Sequence, residues 1–151
     1  MGAATATAQG DVRPDVRDFV AAFAAAGDSD PAASAELFCD DFLSLDPTSV
    51  RPVTSQQLAA TLPRRAELFA SIGAQGTELV EFSEQPIDDQ HTLLRTAWRV
   101  RFADTHAEPL TLRSSYLLHR DENGWRIAVY LNHADIVAII QDRKARQQPQ
   151  M

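Results

Sequence analysis

The chain has one cysteine, Cys39, one lysine, Lys144, and no apolar run approaching the ~20 residues that cross a bilayer as a helix. A lone cysteine closes no internal disulfide and builds no cysteine-based zinc site. Residues Met1 to Gly10 have no basic start and no greasy core, so they do not read as a signal peptide. Positive charge is scarce as well. With 14 basic against 21 acidic residues the net charge is −7, and the pI is near 4.9. Nonspecific nucleic-acid binding and anionic membranes both draw on positive charge, so neither nucleic acid nor membrane is expected as a partner. No two histidines show metal-ligand spacing, and glycine-rich phosphate loops and GxSxG elbows are lacking, so no metal and no cofactor is expected. The expected location is the cytoplasm.

What is present suits one ordinary domain: 151 residues, 44% hydrophobic and 23% charged. Residues 1–10 carry nothing to bury and are expected to be disordered, ahead of a single domain over 11–143 and a flexible tail over 144–151. Val16, Phe19, Val20 and Phe23 recur at helical spacing, with Pro14 suited to the first turn. A short second helix is expected through Leu37 and Phe38, then a short strand over Phe42–Asp46 that Pro47 stops. Residues 47–53, with Pro47 and Pro52 and no periodicity, read as a loop. Thr54 and Gln57 have capping-box spacing, opening a helix that carries Leu58, Leu62, Leu68, Phe69 and Ile72 and either kinks or restarts at Pro63.

The second half changes period from 3.6 to 2. Strands are expected over 77–84, 92–102, 110–120 and 125–132, with a strong hairpin signal at Asp121-Glu122-Asn123-Gly124. A closing helix follows through Ile136, Val137, Ile139 and Ile140, with Asn132 as candidate cap. Helices first and an antiparallel meander after give an α+β fold.

Strict alternation sorts the strands into two faces. One gathers Leu94, Thr96, Trp98 and Val100; Leu112, Ser114, Tyr116 and Leu118; and Trp125, Ile127, Val129, Leu131 and His133. The other gathers Arg95, Arg99, Arg101, Arg113 and Arg126 with Leu117, Tyr130 and Asn132. The first set is apolar with a few polar interruptions, the make-up of a small-molecule pocket. A solid core in which Ser114 and Tyr116 only satisfy the backbone is the alternative. The outer set, mixed in arginines and apolar residues, suits a homodimer interface at which arginines meet the acidic strand (Glu78, Glu81, Glu84) of a second copy.

Leu37-Phe38-Cys39-Asp40-Asp41-Phe42 running into Asp46-Pro47, the meander, and Asn123-Gly124-Trp125-Arg126-Ile127 leading into the last strand carry a resemblance. Over about 16–140 the chain resembles the nuclear transport factor 2-like superfamily, which includes ketosteroid isomerases and SnoaL-like polyketide cyclases. The resemblance implies a cone: a curved, mostly antiparallel sheet wrapped around N-terminal helices, with a cavity and a dimeric assembly. It also implies that Asp46, in its Asp-Pro step, stands where ketosteroid isomerases hold a general base. Phe19 stands where those enzymes use a helix tyrosine, and Tyr116 where they use a protonated aspartate, so the pattern departs from steroid isomerisation and leaves generic proton transfer open.

The candidate catalytic set is therefore Asp46 as base or proton shuttle, Tyr116 as donor to a carbonyl or enolate oxygen, and His133 as orienter, all converging on one cavity. Each has a plainer reading: Asp46 as a loop cap, Tyr116 as packing, His133 as a hydrogen-bonding partner at the start of the closing helix. Phe19, Thr96, Trp98, Ser114, Val129 and Leu131 are the expected ligand-lining residues. The expected activity is that of a SnoaL-like, cofactor-independent enzyme (isomerase, cyclase, dehydratase or hydrolase) on a small apolar or partly polar organic molecule. A non-catalytic ligand-binding or dimerisation protein is the alternative.

Overall fold

The apolar stripe of the first helix lies on α1 (Pro14–Ser29), where Val16, Phe19 and Val20 are buried and Phe23 is half-buried. The computed structural model describes residues 6–29 and 31–147. After α1 come α2 (Pro31–Ser34) and a 3₁₀ turn (Ala35–Leu37) leading into β2 (Phe38–Asp46). β2 turns back as β3 (Ser49–Thr54), and α3 (Ser55–Ala70) follows directly. The remaining elements are β4 (Ala74–Pro86), β5 (His91–Phe102), β6 (Thr111–Asp121), β7 (Gly124–Asn132) and α4 (Ile136–Gln147). A two-residue strand, β1 (Thr7–Ala8), precedes them all.

The strands form one open, curved, seven-stranded sheet in the order β1-β4-β5-β6-β7-β2-β3. The β1/β4 and β2/β7 pairs are parallel and the rest are antiparallel. The fold is α+β, a curved sheet packed on helices, in line with the expected class.

Several local expectations change. Residues 1–5 lie outside the described residues, but Thr7 and Ala8 pair with Glu81 and Phe82 of β4, and Gln9 N donates to the Phe82 carbonyl at 2.7 Å, so this stretch extends the sheet. At the other end α4 continues to Gln147, past the expected start of the tail. The loop expected over 47–53 is mostly strand. β3 is a sheet edge, and there Pro52, opposite Leu43, can lack an N–H without breaking a ladder. The Thr54–Gln57 capping box is formed in both directions, at 3.0 and 2.9 Å. α3 runs through Pro63 without a break to Ala70, and the turn after it closes at Gly73, whose φ of +80° a side chain would resist. The cap of α4 is Asp135, whose carboxylate accepts from Ala138 N at 3.1 Å, and not Asn132.

Two bulges decide which way side chains point. In β7 the register with β6 runs Leu118 to Ile127 and then Leu117 to Val129, so Ala128 is an extra residue. An inserted residue reverses every later side chain relative to simple alternation. Trp125 and Ile127 stay inside, while Tyr130 and Asn132 turn in and Val129, Leu131 and His133 turn out. β4 does the same at Val80, which sends Glu84 inward, away from Glu78 and Glu81.

Two packed clusters hold the sheet to the helices. The larger joins α1 to the inner sheet face through Phe19, Phe38, Phe82, Leu94, Leu118 and Ile127. The smaller locks α3 and α4 to the other end through Phe69, Ile72, Val100, Leu112 and Ile140. Between them the cone is hollow.

Candidate functional site

The cavity measures about 430 Å³ and is walled mainly by aromatic and aliphatic side chains. Phe23 is its hub. It meets Trp98 edge-on at 5.7 Å, Tyr116 at 5.3 Å and Phe38 at 6.1 Å between ring centroids. Edge-to-face contacts of this kind fix the rings and so the shape of the wall. Tyr116 and Tyr130 occupy directly opposed positions on β6 and β7, and their rings stack at 5.3 Å with an interplanar angle of 4°. α3 closes the cavity with Leu58, Leu62, Arg65 and Phe69, one helical face at i, i+4, i+7 and i+11.

Polar groups are few and mutually engaged. The Trp98 indole N–H donates to Thr96 Oγ1 at 2.9 Å, and Thr96 Oγ1 donates to the Ser114 carbonyl at 3.1 Å. Ser114 Oγ donates to Asn132 Oδ1 at 3.1 Å. Arg65 Nη1 donates to Tyr130 Oη at 3.1 Å. Burial, and then the neighbouring Tyr130, push the Tyr116 phenol well above its ordinary pKa, with the Thr96 and Ser114 hydroxyls offsetting only part. Tyr116 is therefore held as a neutral phenol, able to donate a hydrogen bond. The Tyr130 oxygen beside the Arg65 guanidinium raises the arginine's pKa, so that cation is permanent.

Of the residues expected to line a pocket, Trp98, Ser114 and Tyr116 do so. Thr96 stands behind the wall, holding Trp98. Phe19 is core, stacked at 6.0 Å on Phe23, which takes the lining position one turn on. Val129 and Leu131 are on the outer face because of the Ala128 bulge. The same bulge carries His133 outward, where its Nε2 bonds Ser115 Oγ at 2.7 Å.

Asp46 lines an adjoining groove of about 710 Å³, not the aromatic cavity. Its Oδ1 accepts from Thr48 N at 2.9 Å and from the Thr48 and Ser49 hydroxyls at 3.0 Å each, so it caps the β2–β3 turn. The Thr48 bonds, with the smaller Ser49 ones, outweigh desolvation and lower its pKa, the opposite of what a base in an apolar wall shows. Asp46, Tyr116 and His133 are thus not brought together: one caps a turn, one faces the cavity and one faces outward. Cys39 is half-buried and burial raises its thiol pKa, so it is no activated nucleophile.

Two residues central to the cavity were not anticipated from sequence. Tyr130 was hidden by the bulge, which no residue type announces. Arg65 was legible in principle, since it shares the helical period of Leu58, Leu62 and Phe69.

A curved sheet wrapped around helices over an aromatic hollow defines a cone-shaped, pocketed α+β protein. The chain belongs to the family of NTF2-like proteins (DUF6841), which matches residues 11–135. Among curated proteins, none matches it. Solved structures share the fold at low identity. An NTF-2 like protein of unknown function from Shewanella oneidensis is 12% identical with a TM-score of 0.63, over 79% of this chain and 96% of that one. An NTF2-like protein with a cystatin-like fold from Novosphingobium aromaticivorans is 17% identical with a TM-score of 0.62, over 85% and 86%. Aln2 from a Streptomyces species is 17% identical with a TM-score of 0.63, over 83% and 91%. No helix of the described residues is long and apolar enough to cross a membrane.

Proposed function

We propose that this protein binds a small, largely apolar organic molecule inside the cone. The observation that carries this reading is the hollow itself: about 430 Å³ between two packed clusters, with rigid aromatic walls and a handful of oriented donors. Cavities of this size and lining are what small-molecule sites look like. A filled cone would have favoured an association module. We favour binding over SnoaL-like proton transfer by Asp46, because that carboxylate is committed to its own turn and, among the described residues, the cavity lining holds no carboxylate or imidazole. A cytoplasmic location and a homodimer formed through the outer sheet face complete the proposal.

The test uses a neutral dye, N-phenyl-1-naphthylamine, whose emission rises in apolar surroundings. The wild-type protein is expected to bind it, and Leu112→Trp, which places a ring where a lining leucine stood, is expected to abolish binding while keeping a cooperative melt. Asp46→Asn is expected to bind the dye as wild type does. Equal binding by wild type and Leu112→Trp would sink the cavity reading, and loss of binding in Asp46→Asn would restore Asp46 to the site.

A further inference from the structure

We infer that the cavity selects ligands bearing a carboxylate, with Arg65 and Tyr130 as the receiving pair. This inference rests on the binding function proposed above and names the chemistry of what is bound. Arg65 lies on the inward face of α3, and it borders both the aromatic cavity and the adjoining groove. Its one hydrogen bond among the described residues goes to a neutral group, the Tyr130 hydroxyl. Its other close neighbour is the Phe69 ring, 5.7 Å from the guanidinium carbon.

Arg65 is half-buried, and an arginine so placed normally has a carboxylate, because a charge partly withdrawn from water is costly to leave unpaired. Here none serves. Among the described residues no ion pair involves Arg65. The two carboxylates on the groove, Asp46 and Asp135, are turned to their own backbone: Asp46 caps the β2–β3 turn and Asp135 caps α4.

The geometry also supplies a second donor. Tyr130 Oη accepts from Arg65, so its own hydrogen is free to point elsewhere. A carboxylate beside the pair would take an N–H from the guanidinium fork and the O–H of a phenol already polarised by a cation, both charge-assisted bonds. The rest of the molecule would lie against Phe23, Trp98 and Tyr116. The fitting ligand class is therefore an organic acid with a planar or apolar body, held head-first at Arg65.

The experiment compares 2-naphthoate with 2-naphthamide, which share the ring but not the charge, by calorimetric titration of the wild-type chain, Arg65→Met and Arg65→Lys at neutral pH. The wild type is expected to hold the acid about ten- to a hundredfold more tightly than the amide. Arg65→Met is expected to lose that preference while keeping its affinity for the amide, and Arg65→Lys, which keeps the charge but not the fork, to fall between. Equal affinity for acid and amide in the wild type would overturn the carboxylate inference and leave the binding function standing. If the acid keeps its advantage in Arg65→Met, another group reads it and the inference is wrong. If neither probe nor the neutral dye enters the wild-type cavity, the binding function fails and the inference with it.

Discussion

Glu84 ties the segment before α1 to the inner sheet face. Its side chain is 1% exposed, accepts from Arg13 N at 2.9 Å, Arg13 Nε at 2.8 Å and Thr92 Oγ1 at 2.6 Å, and pairs with the Arg13 guanidinium. Burial pushes its carboxyl up, but the Arg13 and Thr92 donors outweigh burial and hold it below its ordinary value of 4.5. A carboxylate with a depressed folded pKa stabilises the fold above its unfolded value and loses that contribution as pH falls through the folded one. Glu84→Gln is expected to be about 2–3 kcal/mol less stable than wild type at neutral pH, between the values for exposed and fully buried pairs. It is also expected to lose less stability on acidification. Urea unfolding followed from neutral pH downward checks both. An equally steep acid limb in the variant would assign the acid sensitivity to the other depressed carboxylates, such as Asp15, which the Trp125 indole holds at 2.8 Å.

At the scale of elements, α3 is both wall and anchor. It presents Leu58, Leu62, Arg65 and Phe69 to the hollow, and its first turn is fixed by the reciprocal Thr54–Gln57 bonds. Thr54→Ala removes the acceptor of Gln57 N and is expected to cost about 1 kcal/mol in urea unfolding. An unchanged midpoint would show that packing alone holds that end. The cap was legible because it depends on two side chains at fixed spacing, and the same holds for the 3.6-residue stripe of α1 and the alternation of β5 and β6. Local rules failed where the partner strand decides. Pro52 signals a loop until one knows that β3 is an edge, and Ala128, neither glycine nor proline, gives no sign that it is the extra residue in β7. That single residue moved Val129, Leu131 and His133 out of the expected site and brought Tyr130 in. The assignment of Asp46 failed for a different reason. Its Asp-Pro step matched a catalytic pattern, yet Thr48 and Ser49 immediately after it offer three donors that a turn cap uses.

For the whole molecule, the outer sheet face is what a second copy would cover. Arg99 and Arg113 meet Glu78 and Glu81 of their own chain at 3.4 and 3.2 Å, so these charges already have partners. Beside them, toward β7, the face is less polar. Leu117, Val129 and Leu131 are half-buried there, turned outward by the β7 bulge, and Ala97 and Ser115 are already buried beneath the longer side chains. An apolar patch flanked by internally paired charges suits a two-fold interface. We expect the chain to sediment as a dimer at micromolar concentration and to remain so in high salt, since the flanking charges do not need the partner. Leu131→Arg puts a charge in the patch, against its own symmetry mate if the axis passes nearby, and is expected to yield monomers. The same variant is expected to bind the neutral dye as wild type does, because the cavity lies on the opposite face of the sheet. A wild-type chain that sediments as a monomer at that concentration would refute the assembly, and a Leu131→Arg dimer would move its interface elsewhere on the surface.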